Sequence, residues 1–235
     1  MTHPTHHRFR RVPVELVAHR GAKRERPENT LPAFARAIEL GADAIELDVH
    51  ATRDGVVVVH HDPIVHGTPH AIADLASREL RELDVGGAPV PTLAEVLALA
   101  ARRVTVYVEI KGAQIEEAVV EVVRASTASC AIHSFDHAAV ARVRQIAPEI
   151  PRGLLFEHRG ADMIAALAAH DARDLWPEVS LVTRDLVERA HHAGRRVVAW
   201  TVNEIDDAAR LAAIGVDALC GDDVRLLRAA IQRGG

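Results

Sequence analysis

Short apolar runs alternate with amphipathic stretches along almost the whole chain. The run VELVAH ends at His19, and NTLPAFARAIELG at 29–41 is typical of a helix, with Asn29 or Thr30 as its N-cap and Gly41 at its end. The next apolar run, DAIELDV at 43–49, reads as a strand. Strands that alternate with helices in this way predict a parallel sheet. A chain of 235 residues is expected to form one such domain, over residues 1–235.

One connection breaks the alternation. Only TRDG at 52–55 separates ELDVHA from VVVVHH, whereas a parallel neighbour needs a crossover of about a dozen residues. The two runs must therefore form an antiparallel hairpin, for which Asp54-Gly55 is a good turn signal. Removing VVVVHH from the strand count leaves eight parallel strands. We predict an α/β fold, a (β/α)8 TIM barrel with a β-hairpin extension after strand 2; an open doubly wound sheet is the alternative.

The hairpin carries polar side chains into an apolar ribbon. A two-residue turn at 53–54 places Glu46 opposite His61. Asp48 then lies on the same face, and a register slip of one residue would exchange His61 for His60. Polar groups in an apolar ribbon are costly unless they are paired or bind a metal. The ribbon therefore predicts a functional cluster.

Other strand ends carry the same kind of residue. His19 and Arg20 end the first strand, and Glu109 and Lys111 are two apart near the end of VYVEIKG. Barrel active sites lie at the C-terminal ends of the strands. One rim is therefore expected to gather His19, Arg20, Glu46, Asp48, His61, Glu109 and Lys111.

The residue types at this rim indicate a chemistry. Three carboxylates without a cysteine favour a hard divalent ion, Mg²⁺ or Ca²⁺. Lys111 and Arg20 would be repelled by that ion unless an anion lies between them, and a phosphate group fits. The two histidines are a candidate acid and base. Together these groups predict metal-assisted attack on a phosphate ester.

Composition excludes several other classes of protein. The net charge is −5 without a long basic run, so we expect no nucleic-acid partner. No segment is apolar over the length that spans a bilayer, and Cys130 and Cys220 are too few for a disulfide framework. The N-terminus lacks an apolar signal core, so we expect a flexible polar tail at 1–13 and a cytoplasmic protein. The oligomeric state is left open.

Eight short motifs follow one another in an order that is itself informative. They are AHRG at 18–21, PENT at 27–30, ELDV at 46–49, RDGVVVVHHD at 53–62, PTLAEVL at 91–97, VEIKG at 108–112, SFD at 134–136 and WTVN at 200–203. In this order the chain resembles the glycerophosphodiester phosphodiesterase family. The resemblance covers most of the chain, and the combination is specific although each motif alone is not.

The resemblance implies roles for the rim residues. Glu46, Asp48 and Glu109 are implied to hold the metal, His19 and His61 to be the acid–base pair, and Arg20 and Lys111 to bind the phosphate. His61 is implied rather than His60, because the family's histidine directly precedes Asp. Glu28 resembles an orienting or metal-proximal group, or else belongs only to the turn before the first helix. Trp200 resembles a substrate-side aromatic residue, or else packs in the core.

The implied activity is hydrolysis of glycerophosphodiesters, such as glycerophosphocholine or glycerophosphoethanolamine, to sn-glycerol 3-phosphate and an alcohol. Lysophospholipase D-type hydrolysis of lysophospholipids at the same site is one alternative, and a catalytically silent phosphate-binding barrel is another. Residues 62–91 depart from the family, because this insertion is shortened and lacks an L-x-R-T-T-like segment. In the family the insertion helps to cover the site and contacts the alcohol. The headgroup preference is therefore left open.

Overall fold

A closed ring of parallel strands forms the centre of the molecule. The computed structural model describes residues 14–83, 87–160 and 162–233. The ring strands are β1 (Glu15–His19), β2 (Ala44–Ala51), β4 (Thr105–Ile110), β5 (Ser129–Ser134), β6 (Arg152–Phe156), β7 (Asp174–Pro177), β8 (Arg196–Ala199) and β9 (Ala218–Gly221), and β3 (Val57–Val59) lies outside it. Parallel pairing of β1 with both β2 and β9 closes the ring. The predicted (β/α)8 barrel is confirmed, and an open sheet is excluded.

Helices follow the ring strands and surround the barrel. They are α1 (Leu31–Glu39), α2 (Ser77–Arg81), α3 (Leu93–Ala100), α4 (Glu116–Ala125), α5 (His137–Ile146), α6 (Met163–His170), α7 (Arg184–His192), α8 (Ile205–Ile214) and α9 (Val224–Arg233). Thr30, one of the two predicted caps, is the N-cap of α1, and its side chain accepts a hydrogen bond from the Ala33 N–H. Within the described residues, no helix is long and apolar enough to cross a membrane.

Apolar side chains fill both faces of the ring. The larger cluster, which includes Phe34 and Leu97, lies between strands and helices, and a smaller cluster that includes Tyr107 and Trp176 lies inside the barrel. Polar groups close the N-terminal end of the barrel, where Tyr107 donates to Glu15 Oε2 over 2.9 Å. Arg196 contacts the same carboxylate at 2.5 Å and Asp174 Oδ1 at 3.3 Å. These contacts close the barrel interior at its N-terminal end.

The predicted hairpin exists, but its predicted register is wrong by one residue. β2 and β3 are antiparallel, with Val49 opposite Val59 and His50 opposite Val58. The connection holds three residues rather than two, since the Thr52 N–H donates to Val56 O. Gly55 takes the positive φ of +81° that such a connection needs.

The shifted register changes the neighbours of the two histidines. Asp48 lies opposite His60, whose N–H donates to the Asp48 carbonyl over 3.0 Å. β3 ends at Val59, so His61 lies beyond the ladder and strand alternation does not set its direction. The direction of its side chain follows from the turn of the chain after β3.

Residues 62–83 and 87–91 form a small unit beside the hairpin. A 3₁₀ helix at Ile72–Asp74 and helix α2 pack over the outer face of β3. Their apolar contacts form a separate cluster of Val58, Val65, Ile72, Leu80 and Val90. The expected tail at 1–13 lies outside the described residues.

Candidate active site

A cavity of about 420 Å³ opens at the C-terminal ends of the barrel strands. It is lined by seven residues that the sequence had indicated, namely His19, Arg20, Glu46, His61, Glu109, Lys111 and Trp200. Asp48 lies below the cavity surface and is 1% exposed. Glu28 lines a neighbouring cavity, which is also lined by His60 and His61. Ring closure is what brings these side chains together, because they come from strands that are far apart in sequence.

Buried carboxylates form the floor of this cavity. Glu46 and Asp48 alternate along β2, and Glu109 lies directly opposite Asp48 on β4. Burial raises the pKa of Glu46 well above its ordinary value, and the charges of Asp48 and Glu109 raise it further. Burial, together with the charge of Asp48, raises the pKa of Glu109 to about 7. A bound cation would relieve both effects.

Asp48 differs from the two glutamates because cations and an amide already hold it. Its Oδ2 accepts a hydrogen bond of 2.8 Å from Asn29 and lies 3.2 Å from Arg20 Nε. Burial opposes the charge of Asp48, but the Arg20 guanidinium and the Asn29 amide outweigh burial and lower its pKa. Its Oδ1 has no hydrogen-bond partner among the described residues, although Lys111 Nζ lies 3.8 Å away. One oxygen of Asp48 is therefore free to bind a cation.

A histidine that sequence reasoning missed completes the floor. Glu46, Glu109 and His133 each offer one ligand atom, and these atoms lie within 4.8 Å of one another. His133 is on β5, directly opposite Glu109. Its position in AIHSFD, at the C-terminal end of a barrel strand, was the available signal. Burial lowers the pKa of His133 to about 3, so its ring is neutral.

His19 is held by a carboxylate that the sequence analysis also missed. His19 Nδ1 lies 2.7 Å from Asp222 Oδ1, and Asn203 donates to the other oxygen of Asp222 over 2.9 Å. Burial would raise the pKa of Asp222, but its hydrogen bond with His19 and the nearby positive charges lower the pKa to about 2. Burial lowers the pKa of His19. A neutral His19 with its proton on Nδ1 leaves the Nε2 lone pair free.

The two adjacent histidines of the hairpin have different surroundings. His61 Nε2 lies 3.2 Å from Lys111 Nζ, and its Nδ1 lies 2.8 Å from Asp62 Oδ1. His60 Nδ1 instead lies 2.8 Å from the Asp62 carbonyl, and the ring is buried away from the active-site cavity. His61 is therefore the member of the pair that reaches the cavity, as predicted, although the hairpin register on which that prediction rested was wrong by one residue.

Arg20 lies between the carboxylate floor and Glu28. Its backbone N–H donates to Glu46 Oε2 over 3.1 Å, and its Nη1 donates to Glu28 Oε1 over 2.9 Å. Glu28 Oε2 also lies 3.2 Å from Lys23 Nζ. The following Gly21 has a φ of +81°, and a Cβ there would lie 2.8 Å from the Ala33 carbonyl carbon. Glu28 therefore contacts two cationic side chains, Arg20 and Lys23.

An aromatic pair lies at one side of the cavity. Trp200 contacts Phe135 edge-to-face, with ring centroids 5.4 Å apart, and its Nε1 donates to the Trp176 carbonyl over 3.0 Å. Phe135 is 41% exposed, which is unusual for a large apolar side chain. The sequence analysis had not singled out Phe135, although it lies within the SFD motif. Trp200 therefore packs against Phe135 and also lines the cavity.

Comparisons with known proteins agree with this geometry. Residues 19–226 match the model of the glycerophosphoryl diester phosphodiesterase family. A glycerophosphodiester phosphodiesterase of Caldanaerobacter subterraneus subsp. tengcongensis is 34% identical, over 94% of this chain and 98% of the relative. A phosphodiesterase structure from Oleispira antarctica, in complex with the product sn-glycerol-3-phosphate, has a TM-score of 0.87 at 26% identity and covers 93% of this chain and 96% of that one. A Thermotoga maritima glycerophosphodiester phosphodiesterase has a TM-score of 0.82 at 27% identity, covering 92% and 97%.

Proposed function

The chain belongs to the glycerophosphoryl diester phosphodiesterase family, and we propose that it hydrolyses glycerophosphodiesters to sn-glycerol 3-phosphate and an alcohol. The chain is accordingly an enzyme, a phosphoric diester hydrolase. The observation that carries this conclusion is the cavity, in which histidines, two cationic side chains and carboxylates meet at one barrel rim. A phosphodiester is the substrate whose charge and reaction chemistry use all three kinds of group.

The carboxylate floor fits a divalent ion. We propose that Glu46, Asp48 and Glu109 hold it, with Mg²⁺ or Ca²⁺ as the ion that carboxylate oxygens favour. Support comes from the raised pKa values of the two glutamates and from the unpartnered Oδ1 of Asp48. Such an ion, when bound, would polarise a phosphoryl oxygen.

Arg20 and Lys111 are the proposed phosphate-binding residues. Both carry their charge to the cavity beside a carboxylate, since Arg20 Nε lies 3.2 Å from Asp48 Oδ2 and Lys111 Nζ lies 3.3 Å from Glu109 Oε1. These contacts keep the two cations in place before substrate enters. A guanidinium and an ammonium can then hold non-bridging oxygens of the diester.

His19 and His61 are the proposed proton-transfer pair. An in-line displacement requires a base near the attacking oxygen and an acid near the leaving one. Burial lowers the pKa of His19, which favours the neutral ring that a base needs, and Asp222 would stabilise the charge that the ring gains. His61 Nε2 lies beside Lys111, close to the proposed place of the phosphate. The separate roles of the two rings are tested in the Discussion.

Release of free choline from glycerophosphocholine, with and without EDTA, tests this function. We expect activity with Mg²⁺ or Ca²⁺ and near-zero activity in EDTA, and Asp48→Asn should remove most of the metal-dependent activity. Full activity in EDTA would contradict the metal-dependent mechanism. Absence of activity on every phosphodiester would favour the catalytically silent barrel instead.

Lysophospholipase D-type hydrolysis is the second candidate, and the exposed Phe135 beside Trp200 favours it. A lysophospholipid needs an apolar surface at the mouth for its acyl chain, and Phe135 with Leu155 offers one. Release of lysophosphatidic acid from lysophosphatidylcholine, compared with release of glycerol 3-phosphate from glycerophosphocholine, separates the two candidates. Phe135→Ser should reduce only the activity on the lysophospholipid.

The shortened segment at 62–91 and the cellular location complete the proposal. We infer that this segment leaves the headgroup loosely contacted, so that choline and ethanolamine diesters are hydrolysed at similar rates.

A cytoplasmic location is supported by Cys130 and Cys220, which are both free thiols. A panel of diesters and fractionation of the producing cells would test the two statements.

A further inference from the structure

His133 lies at ligand distance from the carboxylate floor. Its Nε2 is 3.9 Å from Glu46 Oε1, and it lies opposite Glu109 in the β4–β5 ladder. Two atoms bound to one ion by bonds of about 2.1 Å lie at most roughly 4.2 Å apart. The imidazole is thus close enough to Glu46 for both to bind the same ion.

The imidazole lacks the hydrogen bonds that a buried histidine normally makes. His133 is 1% exposed, and its Nδ1 has no hydrogen-bond partner within the described part of the chain. The distance from Nε2 to Glu46 is too long for a hydrogen bond. A buried ring whose two nitrogens have no partner among the described residues is costly, and a bond from Nε2 to a metal ion would supply one of the two missing interactions.

The barrel holds this ring in a fixed orientation. Trp176, from β7, stacks on His133 with ring centroids 4.2 Å apart and an angle of 8°. The indole reaches across β6 where Gly153 leaves room, since a Cβ on Gly153 would lie 2.7 Å from Trp176 Cδ1. A histidine ring that only fills space does not need a stacked indole to fix its orientation. A metal ligand must point its nitrogen at the ion, so its ring has to be held in one direction.

We propose that His133 is a nitrogen ligand of the active-site metal ion and shifts the ion preference of the site toward Mn²⁺ and Co²⁺. Carboxylate oxygens alone suit Mg²⁺ and Ca²⁺, while an imidazole nitrogen is a softer donor that strengthens the binding of divalent transition-metal ions, of Co²⁺ more than of Mn²⁺. The inference rests on the proposed function, because it needs an ion between Glu46 and Glu109. It adds a residue to the site and predicts a different order of metal affinities.

Direct metal titration of the metal-free protein tests this inference. The titrations use isothermal calorimetry and the shift of the unfolding temperature, with Mg²⁺, Ca²⁺, Mn²⁺ and Co²⁺ each alone. In His133→Gln the ratio of Co²⁺ to Mg²⁺ affinity should fall by roughly tenfold or more, while Mg²⁺ binding persists because the amide oxygen is a hard donor. His137→Gln is the matched control, because His137 is a partly buried ring that donates from Nε2 to Leu155 O and does not line the cavity.

The possible results are distinguishable. An unchanged ratio in His133→Gln overturns the role of His133 and leaves the proposed function standing. A wild-type protein that binds none of the four ions overturns both proposals. A lowered ratio that the His137→Gln control does not share supports the inference.

A second measurement leaves His133 intact, in case His133→Gln does not fold. Among the described residues, His19, His61 and His133 are the histidines that line the cavity. Pulsed electron paramagnetic resonance of Mn²⁺ in the His19→Gln/His61→Asn double variant should still show a coordinated imidazole nitrogen. Absence of that nitrogen signal would overturn the inference.

Discussion

His19 and Asp222, 203 positions apart in sequence, are joined by a 2.7 Å contact between Nδ1 and Oδ1 at the cavity wall. The contact sets which ring nitrogen carries the proton, because a carboxylate accepts and the Nδ1–H donates. It also couples the first and last strands of the ring, since His19 ends β1 and Asp222 follows β9. His19 lies in the AHRG motif, whereas Asp222 lies in none of the eight motifs, so the motifs do not indicate that the two residues meet.

Asp222→Asn should therefore reduce kcat/KM by ~10²-fold or more, because an amide can favour the wrong tautomer of His19. Asp222 raises the pKa of His19 through its hydrogen bond, so its removal should also move the acidic limb of the pH profile to lower pH. The pH dependence of glycerophosphocholine hydrolysis measures both effects. Asp217→Asn is the matched control, because Asp217 makes a similar 2.9 Å contact with the exposed His191. Equal losses in both variants would contradict the role of Asp222.

His61→Ala should lose roughly 10²–10⁴-fold of the activity, as expected for a general acid or base. His60→Ala should retain activity within roughly tenfold, because the His60 ring lies outside the active-site cavity. Circular dichroism and thermal unfolding should accompany the assays, since His60 is buried and its loss can lower stability. A dead His60→Ala variant with a normal fold, beside an active His61→Ala, would reverse the assignment.

The contribution of Glu109 to the stability of the metal-free protein should fall as pH rises from about 5 to about 7. The unfolded chain releases the proton of Glu109 near the ordinary pKa of 4.5, whereas the folded chain keeps it up to a pKa of about 7. At Glu109 the folded state binds more protons in this window, so this contribution to the free energy of unfolding decreases with pH, while the lowered pKa of His133 acts in the opposite direction.

Added Mg²⁺ or Ca²⁺ should raise the unfolding temperature more at pH 7 than at pH 5, because protons compete with the ion for the same oxygens. In Glu109→Gln the free energy of unfolding of the metal-free protein should fall less, or rise more, between pH 5 and pH 7 than in the wild type, because the contribution of Glu109 is lost. Differential scanning calorimetry between pH 5 and pH 7, with and without the added ion, measures these unfolding temperatures. A metal-induced rise that is equal at both pH values would show that the ion does not bind at these carboxylates.

The choice of leaving group should separate the acid from the base. Loss of the acid histidine should cost much less with a p-nitrophenyl phosphodiester than with a choline ester, because p-nitrophenolate leaves without a proton. Loss of the base should cost about the same with both substrates. The comparison of His19→Ala with His61→Ala on the two substrates assigns the roles. Equal losses on both substrates for both variants would instead indicate that the histidines position the phosphate or the metal.

Gly153→Ala should lower the free energy of unfolding by about 1–3 kcal/mol, because the added methyl group would overlap the Trp176 indole. The predicted overlap is a Cβ–Cδ1 distance of 2.7 Å. Urea unfolding of the variant measures the loss. Combining it with Trp176→Leu, which removes the overlap, should recover part of the stability lost to overpacking. A fully stable Gly153→Ala would contradict the close packing.

Local patterns in the sequence determined the barrel and most of the rim. Alternation of apolar runs with amphipathic helices predicted eight ring strands, and a connection too short for a crossover predicted the hairpin. The spacing of two residues between Glu46 and Asp48 placed both on one face of a strand, as observed. Such features are predictable because strand alternation and helix periodicity depend on neighbours that are close in sequence.

Tertiary structure alone decided which side chains meet. The register of the hairpin depended on a three-residue connection with Gly55 at positive φ, which the Asp54-Gly55 signal does not distinguish from a two-residue turn. His133 joined the site because β5 pairs with β4 beside β2, and Asp222 joined it because β9 pairs with β1. Periodicity gives the face of each strand, but distances between side chains from different strands depend on closure and packing of the whole barrel.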